Sequence, residues 1–179
     1  MQVFDSSSRY GAPAQLLHWL VVALVAMAWF TDEGMEHGGR GFGASLHMGA
    51  GGLVLALSLL RLLWRAVNRA PPMPAGTPAW QRRAASLAHV ALYALTLGVP
   101  LSGWAARWLE GRPVSPFGLF SLPAPMAASR ALAERAGDLH EVLANLLLAM
   151  VAAHVLAALW HHLVRRDTVL LTMLPGMRR

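Results

Sequence analysis

The sequence predicts an all-α fold: an integral membrane four-helix bundle with both termini cytoplasmic. Three observations carry this. The composition is that of a lipid-embedded chain, 56% hydrophobic and only 13% charged over 179 residues, with a mean hydropathy of +0.45. A water-soluble domain carries about 25% charged residues. Four apolar runs each approach or exceed the roughly 20 residues a helix needs to cross a bilayer. The arginines, which make up all fifteen basic residues, fall unevenly between those runs. A net charge of +6 spread in this way speaks for membrane topology rather than for nucleic acid. The absence of Cys removes disulfides, Cys-ligated zinc and iron–sulfur clusters.

The first span runs from about Ala14 to Thr31. No small-residue cleavage site follows in Met27-Ala28-Trp29-Phe30-Thr31-Asp32, so it is read as a retained helix rather than a signal peptide. The second runs from about Leu46 to Trp64 and is followed by Ala70-Pro71-Pro72-Met73-Pro74, a stiff connection poor in backbone donors. The third covers about Ser86 to Trp108, and Gly98 and Pro100 inside it predict a kink. The loop from about Leu109 to Asp138 is the longest non-spanning segment. It carries Phe117-Gly118-Leu119-Phe120 and a short helix near Ala127 to Arg135. The fourth span runs from about Leu139 to Val164, and the whole of residues 1–179 is read as a single transmembrane domain. Ten arginines (Arg9; Arg61, Arg65, Arg69, Arg82, Arg83; Arg165, Arg166, Arg178, Arg179) lie in the two tails and the second connection, against five in the other loops. That excess assigns the first group to the cytoplasm.

The chemistry lies in the histidines. Five of the eight, His18, His47, His89, His140 and His154, fall in or at the ends of the spans, where an ionisable side chain is costly and marks function by default. His140 and His154 are fourteen residues apart. On a helix this brings them within about 40° of one face and about 21 Å apart along the axis, too far to share one metal ion but suited to one planar cofactor in each half of the membrane. Counting from the flanking arginines pairs His18 with His154 near the cytoplasmic side. His47 and His140 pair near the outer side, close to Asp32, Glu33, Glu36, Asp138 and Glu141. Bis-imidazole pairs of this kind are how a helical bundle holds low-spin haem b without Cys. His89, six residues after Arg83, stands at a depth like that of His18, so depth alone does not exclude it as the partner of His154; His18 is preferred, which leaves the His89 ring to hydrogen-bond a propionate or a quinone. Polar residues bonding across helices, or a His-lined path for a divalent metal, are the competing readings. The second lacks the intramembrane carboxylates such a path usually has.

Around these residues the sequence offers supporting groups. Gly51, one turn after His47 in Met48-Gly49-Ala50-Gly51-Gly52, leaves room for a porphyrin against the helix, or for close helix packing. Glu141 and Asn145 are one turn apart beside His140 and are read as orienting its ring or bonding a haem edge, or, for Glu141, as favouring the helix start. His161, seven residues after His154, suits a proton-coupled quinone site or an interfacial belt with Trp160. His162 and His37 are read as solvated.

Taken together, Gln15-Leu16-Leu17-His18-Trp19-Leu20, Leu46-His47 with its glycines, Leu139-His140-Glu141-Val142-Leu143-Ala144-Asn145, His154, Trp160-His161-His162 and Asp167-Thr168-Val169-Leu170-Leu171-Thr172-Met173-Leu174-Pro175 resemble the four-helix bacterial cytochrome b561 proteins of the inner membrane. The resemblance covers nearly the whole chain. It implies two b haems as cofactors, one on His18 and His154 and one on His47 and His140. It also implies electron exchange with ubiquinone or ubiquinol and, in some members, oxidation of superoxide at the periplasmic face. Haem-carrying anchor subunits of hydrogenases and formate dehydrogenases are similar, but no docking extension is visible, so no obligatory protein partner is expected beyond the lipid bilayer. Under this reading an electron enters at the outer pair and leaves for quinone near His161, with His89 or cytoplasmic arginines helping to balance charge. Arg107, Arg112, Arg130 and Arg135 of the long loop would attract superoxide, though Glu110, Glu134 and Asp138 offset most of their field.

Overall fold

The computed structural model describes residues 4–6, 9–32, 41–68 and 70–176; Glu33, Glu36, His37, Arg40, Arg69, Arg178 and Arg179 lie outside them. Among the described residues the fold is helical, with four long helices: α1 (Ala12–Phe30), α2 (Phe42–Val67), α3 (Ala79–Leu109) and α4 (Arg130–Leu163), followed by the short α5 (Val169–Met173). Each long helix is long and apolar enough to cross a membrane.

Local chemistry sets the ends. Pro13 stands in the first turn of α1, where a missing N–H costs nothing. Thr31 Oγ1 closes the far end by donating to the Met27 carbonyl at 2.7 Å. Asn68 Nδ2 donates to the Trp64 carbonyl at 3.1 Å and ends α2. Thr77 Oγ1 donates to the Pro74 carbonyl at 2.7 Å, forming the turn that launches α3.

The helices outrun the apolar spans because hydropathy marks the lipid-covered stretch, whereas the backbone stays helical into water. Thus α3 begins at Ala79 and carries Gln81, Arg82 and Arg83 before the apolar run. The short helix expected near Ala127 to Arg135 is not a separate element: Arg130 to Arg135 form the first turns of α4, and Ala127 to Ser129 precede it. Ala, Leu, Glu and Arg are good helix formers, the exposed Arg130–Glu134 pair closes at 3.0 Å one turn apart, and the lone Gly137 is tolerated. α3 likewise runs without interruption through Gly98 and Pro100.

Close packing joins α1 to α2, α2 to α3, and α3 to α4. By contrast α1 and α4, and α2 and α4, are not among the closely packed pairs of the described residues, which leaves two clefts facing α4. Large apolar side chains such as Val22, Leu60, Leu87, Leu101, Leu146 and Leu156 point outward, as lipid-facing residues do. At one end of the bundle α5 is tied to the start of α1. The Arg9 guanidinium donates to the Leu174 carbonyl at 2.6 Å, Gln15 Nε2 to Thr172 O at 3.0 Å, and Trp19 Nε1 to Met173 O at 3.0 Å. The two ends of the described chain therefore meet at one end of the bundle, as an even number of spans requires; we call it the terminal end.

The opposite, loop end is capped by the α3–α4 connection. Val114 and Leu122 exchange both backbone hydrogen bonds, at 3.0 and 2.8 Å, which folds the loop back on itself. Val114 is fully buried against Ala44 and Met48 of α2, with Trp104 and Trp108 of α3 packed around them. A 3-10 turn at Pro116–Gly118, with Phe117 at φ +52 and Gly118 at φ +69, lays the Phe117 ring on Gly49. A Cβ at Gly49 would stand 2.5 Å from that ring. Gly49→Ala is accordingly expected to lower stability by about 1–3 kcal/mol through overpacking, read as an earlier melting of α-helical circular dichroism. Adding Phe117→Ala to that variant should recover part of the loss.

Candidate functional site

The four histidines come together in two pairs. At the loop end, His47 of α2 and His140 of α4 face each other with ring centroids 6.1 Å apart and planes crossing at 75°. At the terminal end, His18 of α1 and His154 of α4 are 6.3 Å apart and cross at 69°. Both pairs span the clefts beside α4 rather than closely packed helices. A metal ion held head-on by two imidazoles, with metal–nitrogen bonds of about 2.0–2.1 Å, puts the ring centres roughly 6 Å apart. The spacing and the donor set suit axial ligation.

The loop-end pair is oriented by backbone carbonyls. His47 Nδ1 lies 2.9 Å from Ala28 O and His140 Nδ1 lies 2.8 Å from Val99 O. A carbonyl only accepts, so in both rings Nδ1 is the N–H and Nε2 keeps the lone pair that binds a metal. Ser102 Oγ stands 3.3 Å from His140 Nδ1 as well. The ring reaches Val99 because Gly103 has no side chain: a Cβ there would lie 2.9 Å from His140 Cε1 and Nδ1. This corrects the expectation that Glu141 and Asn145 orient His140. Residues one and five places along a helix project elsewhere, and both line the adjoining cavity instead.

That cavity has a volume of about 650 Å³, and His47, Gly51, His140 and Asn145 all lie in its wall. A Cβ at Gly51 would meet only Pro100 Cβ, at 3.7 Å, so its face opens on the cavity. Gly49 and Gly52 serve packing instead, under Phe117 and Trp104. Trp104 also lines the cavity, and its indole N–H is buried with no protein acceptor. A flat apolar group with polar edges fits such a wall. The charged lining consists of Arg107 and Arg112 against Asp32, Glu110 and Glu141. Arg130 and Arg135 lie away from it, exposed on α4.

The terminal-end pair is less fully satisfied. His18 Nδ1 is buried without a partner, and leaving such a group unmade costs about 1–3 kcal/mol, a penalty that an occupant of the cleft can relieve. His89 of α3 lies 5.7 Å from His154, so the structure brings both sequence-level partners to the same ring. Two turns further along α4, His161 is buried and donates from Nδ1 to Asp167 Oδ2 at 2.6 Å. Asp167 also faces Arg165 Nε at 3.5 Å and accepts from Val169 N at the start of α5. His162 is exposed. Asp167, Ser102, Gly103 and Trp104 are the site residues that the sequence reading passed over.

A bundle of membrane-spanning helices holding stacked, opposed imidazole pairs defines a membrane cytochrome of the b type. Comparison with known proteins agrees. Residues 9–176 match the family described as prokaryotic cytochrome b561. The chain is 33% identical over 180 residues to cytochrome b561 homolog 2 of Escherichia coli, covering 97% of this chain and 95% of that protein. It is 32% identical over 168 residues to the probable superoxide oxidase CybB of Yersinia pestis, covering 90% and 93%. It is 31% identical over 167 residues to cytochrome b562 of Cereibacter sphaeroides, covering 88% and 90%. The chain belongs to the prokaryotic cytochrome b561 family, and with that membership come haem b as cofactor and electron transfer in a membrane as the work.

Proposed function

We propose that this chain carries two b haems, one on His47 and His140 and one on His18 and His154, and passes electrons from superoxide to ubiquinone across the bacterial inner membrane. In this reading both termini and the terminal-end site face the cytoplasm. The observation that carries it is the pair of opposed imidazole contacts, 6.1 and 6.3 Å between ring centres, at two levels of one bundle. The superoxide assignment is supported by the name borne by the Yersinia pestis relative.

Haem iron, when bound, supplies reversible one-electron exchange; the protein supplies position, shape and protons. Ala28 O and Val99 O fix the ligand tautomers of His47 and His140, and Gly51 and Gly103 keep the space clear. At the terminal end Asp167 holds the Nδ1 proton of His161, leaving Nε2 to exchange a proton with a quinone. Two superoxide ions each lose one electron to become dioxygen, and one quinone takes up both electrons with two protons. The outer cavity offers two guanidiniums against three carboxylates, so steering of the anion contributes little. The superoxide oxidation rate is therefore expected to change less than about twofold between low and physiological salt, whereas a steered enzyme slows steeply. Purified protein with a ubiquinone analogue should remove superoxide faster than spontaneous dismutation and form quinol at half the superoxide consumed. Failure to form quinol would contradict the assignment.

A further inference from the structure

The fourteen-residue spacing of His140 and His154 recurs on the neighbouring helices. On α2 the stripe His47, Gly51, Val54, Ser58, Arg61 follows one face; His47, Gly51 and Val54 line the cavity, and Val54 and Ser58 are 4% and 2% exposed. On α3 the stripe runs His89, Tyr93, Thr96, Pro100, Gly103, with Thr96 and Pro100 buried. Fourteen residues return to nearly the same face about 21 Å on. The bundle is thus built in two levels. The loop-end level gathers His47, His140, Gly103 and Asp32, whose carboxylate is 3.9 Å from His47 Nδ1. The terminal-end level gathers His18, His154, His89 and Arg61.

Arg61 has no countercharge there. None of the ion pairs among the described residues includes it, and its titratable neighbours are Tyr93, Tyr10 and Arg65. Its guanidinium lies over the Tyr93 ring, 5.4 Å from the centroid, a cation–π contact that offsets part of the desolvation. Tyr10 supplies no anion, since burial pushes its phenol above the ordinary value despite the opposing pull of Arg65. A half-buried guanidinium at this depth is costly to keep and acts over distance because little water screens it. Tyr93, whose ring it covers, stands one turn along α3 from His89, and His89 in turn faces His154 at 5.7 Å, which places the guanidinium at the level of the terminal-end pair. At the other level Arg107 and Arg112 stand against Asp32, Glu110 and Glu141, so positive charge is opposed there, and the Asp32 side chain is 58% exposed, where solvent and salt weaken its field.

We infer that Arg61 is a positioning charge that holds the terminal-end site at a higher reduction potential than the loop-end site, so that electrons run downhill from the loop end to the terminal end. The inference rests on the two-site ligand assignment above. An electron gained between His18 and His154 is stabilised by the fixed positive charge beside it, and the donor that loses it is superoxide, oxidised to dioxygen. Removing the charge should weaken reduction of that site about tenfold at the dielectric of a partly buried pair, a fall of about 59 mV for one electron.

The test is a spectroscopic redox titration of the purified holoprotein, resolved into its two components. The terminal-end component is identified as the one that His154→Ala abolishes. Arg61→Gln is expected to lower that component alone, and Arg61→Lys to leave it in place. Two unchanged components in Arg61→Gln, or a fall in Arg61→Lys as large as in Arg61→Gln, would overturn the inference. If Arg61→Gln does not accumulate, Arg61→Lys decides on its own, because a lowered potential with the charge retained contradicts a charge-based role. If His154→Ala abolishes neither component, the ligand assignment has failed and this inference falls with it. Two components present and correctly assigned but unmoved by Arg61→Gln reject the inference alone.

Discussion

His154→Ala is expected to halve the haem bound per chain and to leave the loop-end component spectrally intact; His140→Ala should give the mirror result. The independence follows from the spacing, since about 21 Å of helix separates the two rings and each closes a different cleft. His18→Ala should reproduce the loss seen with His154→Ala, whereas His89→Ala should keep both haems. Distance alone does not separate these two partners, since His89 is 5.7 Å and His18 is 6.3 Å from His154. The helices do: α3 and α4 are a closely packed pair, while α1 and α4 are not. A planar macrocycle needs the open cleft, and only His18 faces His154 across one. Haem-to-protein ratios of the four variants check this directly, and full haem retention in His18→Ala with loss in His89→Ala would reverse the pairing.

Gly103→Val should be nearly as damaging to the loop-end site as loss of His140 itself, with the terminal-end component retained. Even a Cβ at this position would sit 2.9 Å from the His140 ring, and the branched side chain leaves no room for the ring to reach Val99 O. The imidazole would then lose the acceptor that fixes its tautomer, and groups that orient metal-binding histidines typically contribute 10–100-fold in affinity. Gly103→Ala is the milder case, expected to weaken haem retention on dilution without abolishing it. Ser102→Ala should do less than either, because Val99 O remains 2.8 Å from Nδ1. An undiminished loop-end spectrum in Gly103→Val would show that His140 does not need this approach.

The parts of this arrangement that repeat along a helix were legible in the sequence. Four apolar runs mark the spans, and the spacing of His140 and His154 places both on one face at two depths. The histidines as a set, and the opening of Gly51 onto the cavity, follow from the same periodicity. What could not be read is what depends on close approach between helices. Val99 O and Ala28 O are backbone acceptors without a side-chain signature, and Gly103 appears as one more small residue until His140 is seen beside it. Glu141 and Asn145 attracted attention as polar neighbours of His140 in sequence, yet the ring is held from α3. Phe117 in the α3–α4 loop has an apolar partner, Gly49, that exists only in three dimensions. Asp167 stood in the sequence only as the first residue of the stretch running to Pro175, and its pairing with His161 depends on the turn at Arg166, φ +53, that folds α5 back. The chain reading of helix ends also stopped where lipid stops, whereas Ala79–Leu109 and Arg130–Leu163 continue beyond it.

The most direct test of the account is the number and type of haems in the purified, membrane-extracted protein, from a pyridine haemochrome assay against amino-acid analysis together with the low-temperature electron paramagnetic resonance of the oxidised form. The account predicts two b haems per chain, both low-spin with two imidazole ligands. One haem per chain, or a high-spin signal showing an iron with an open position, would contradict it.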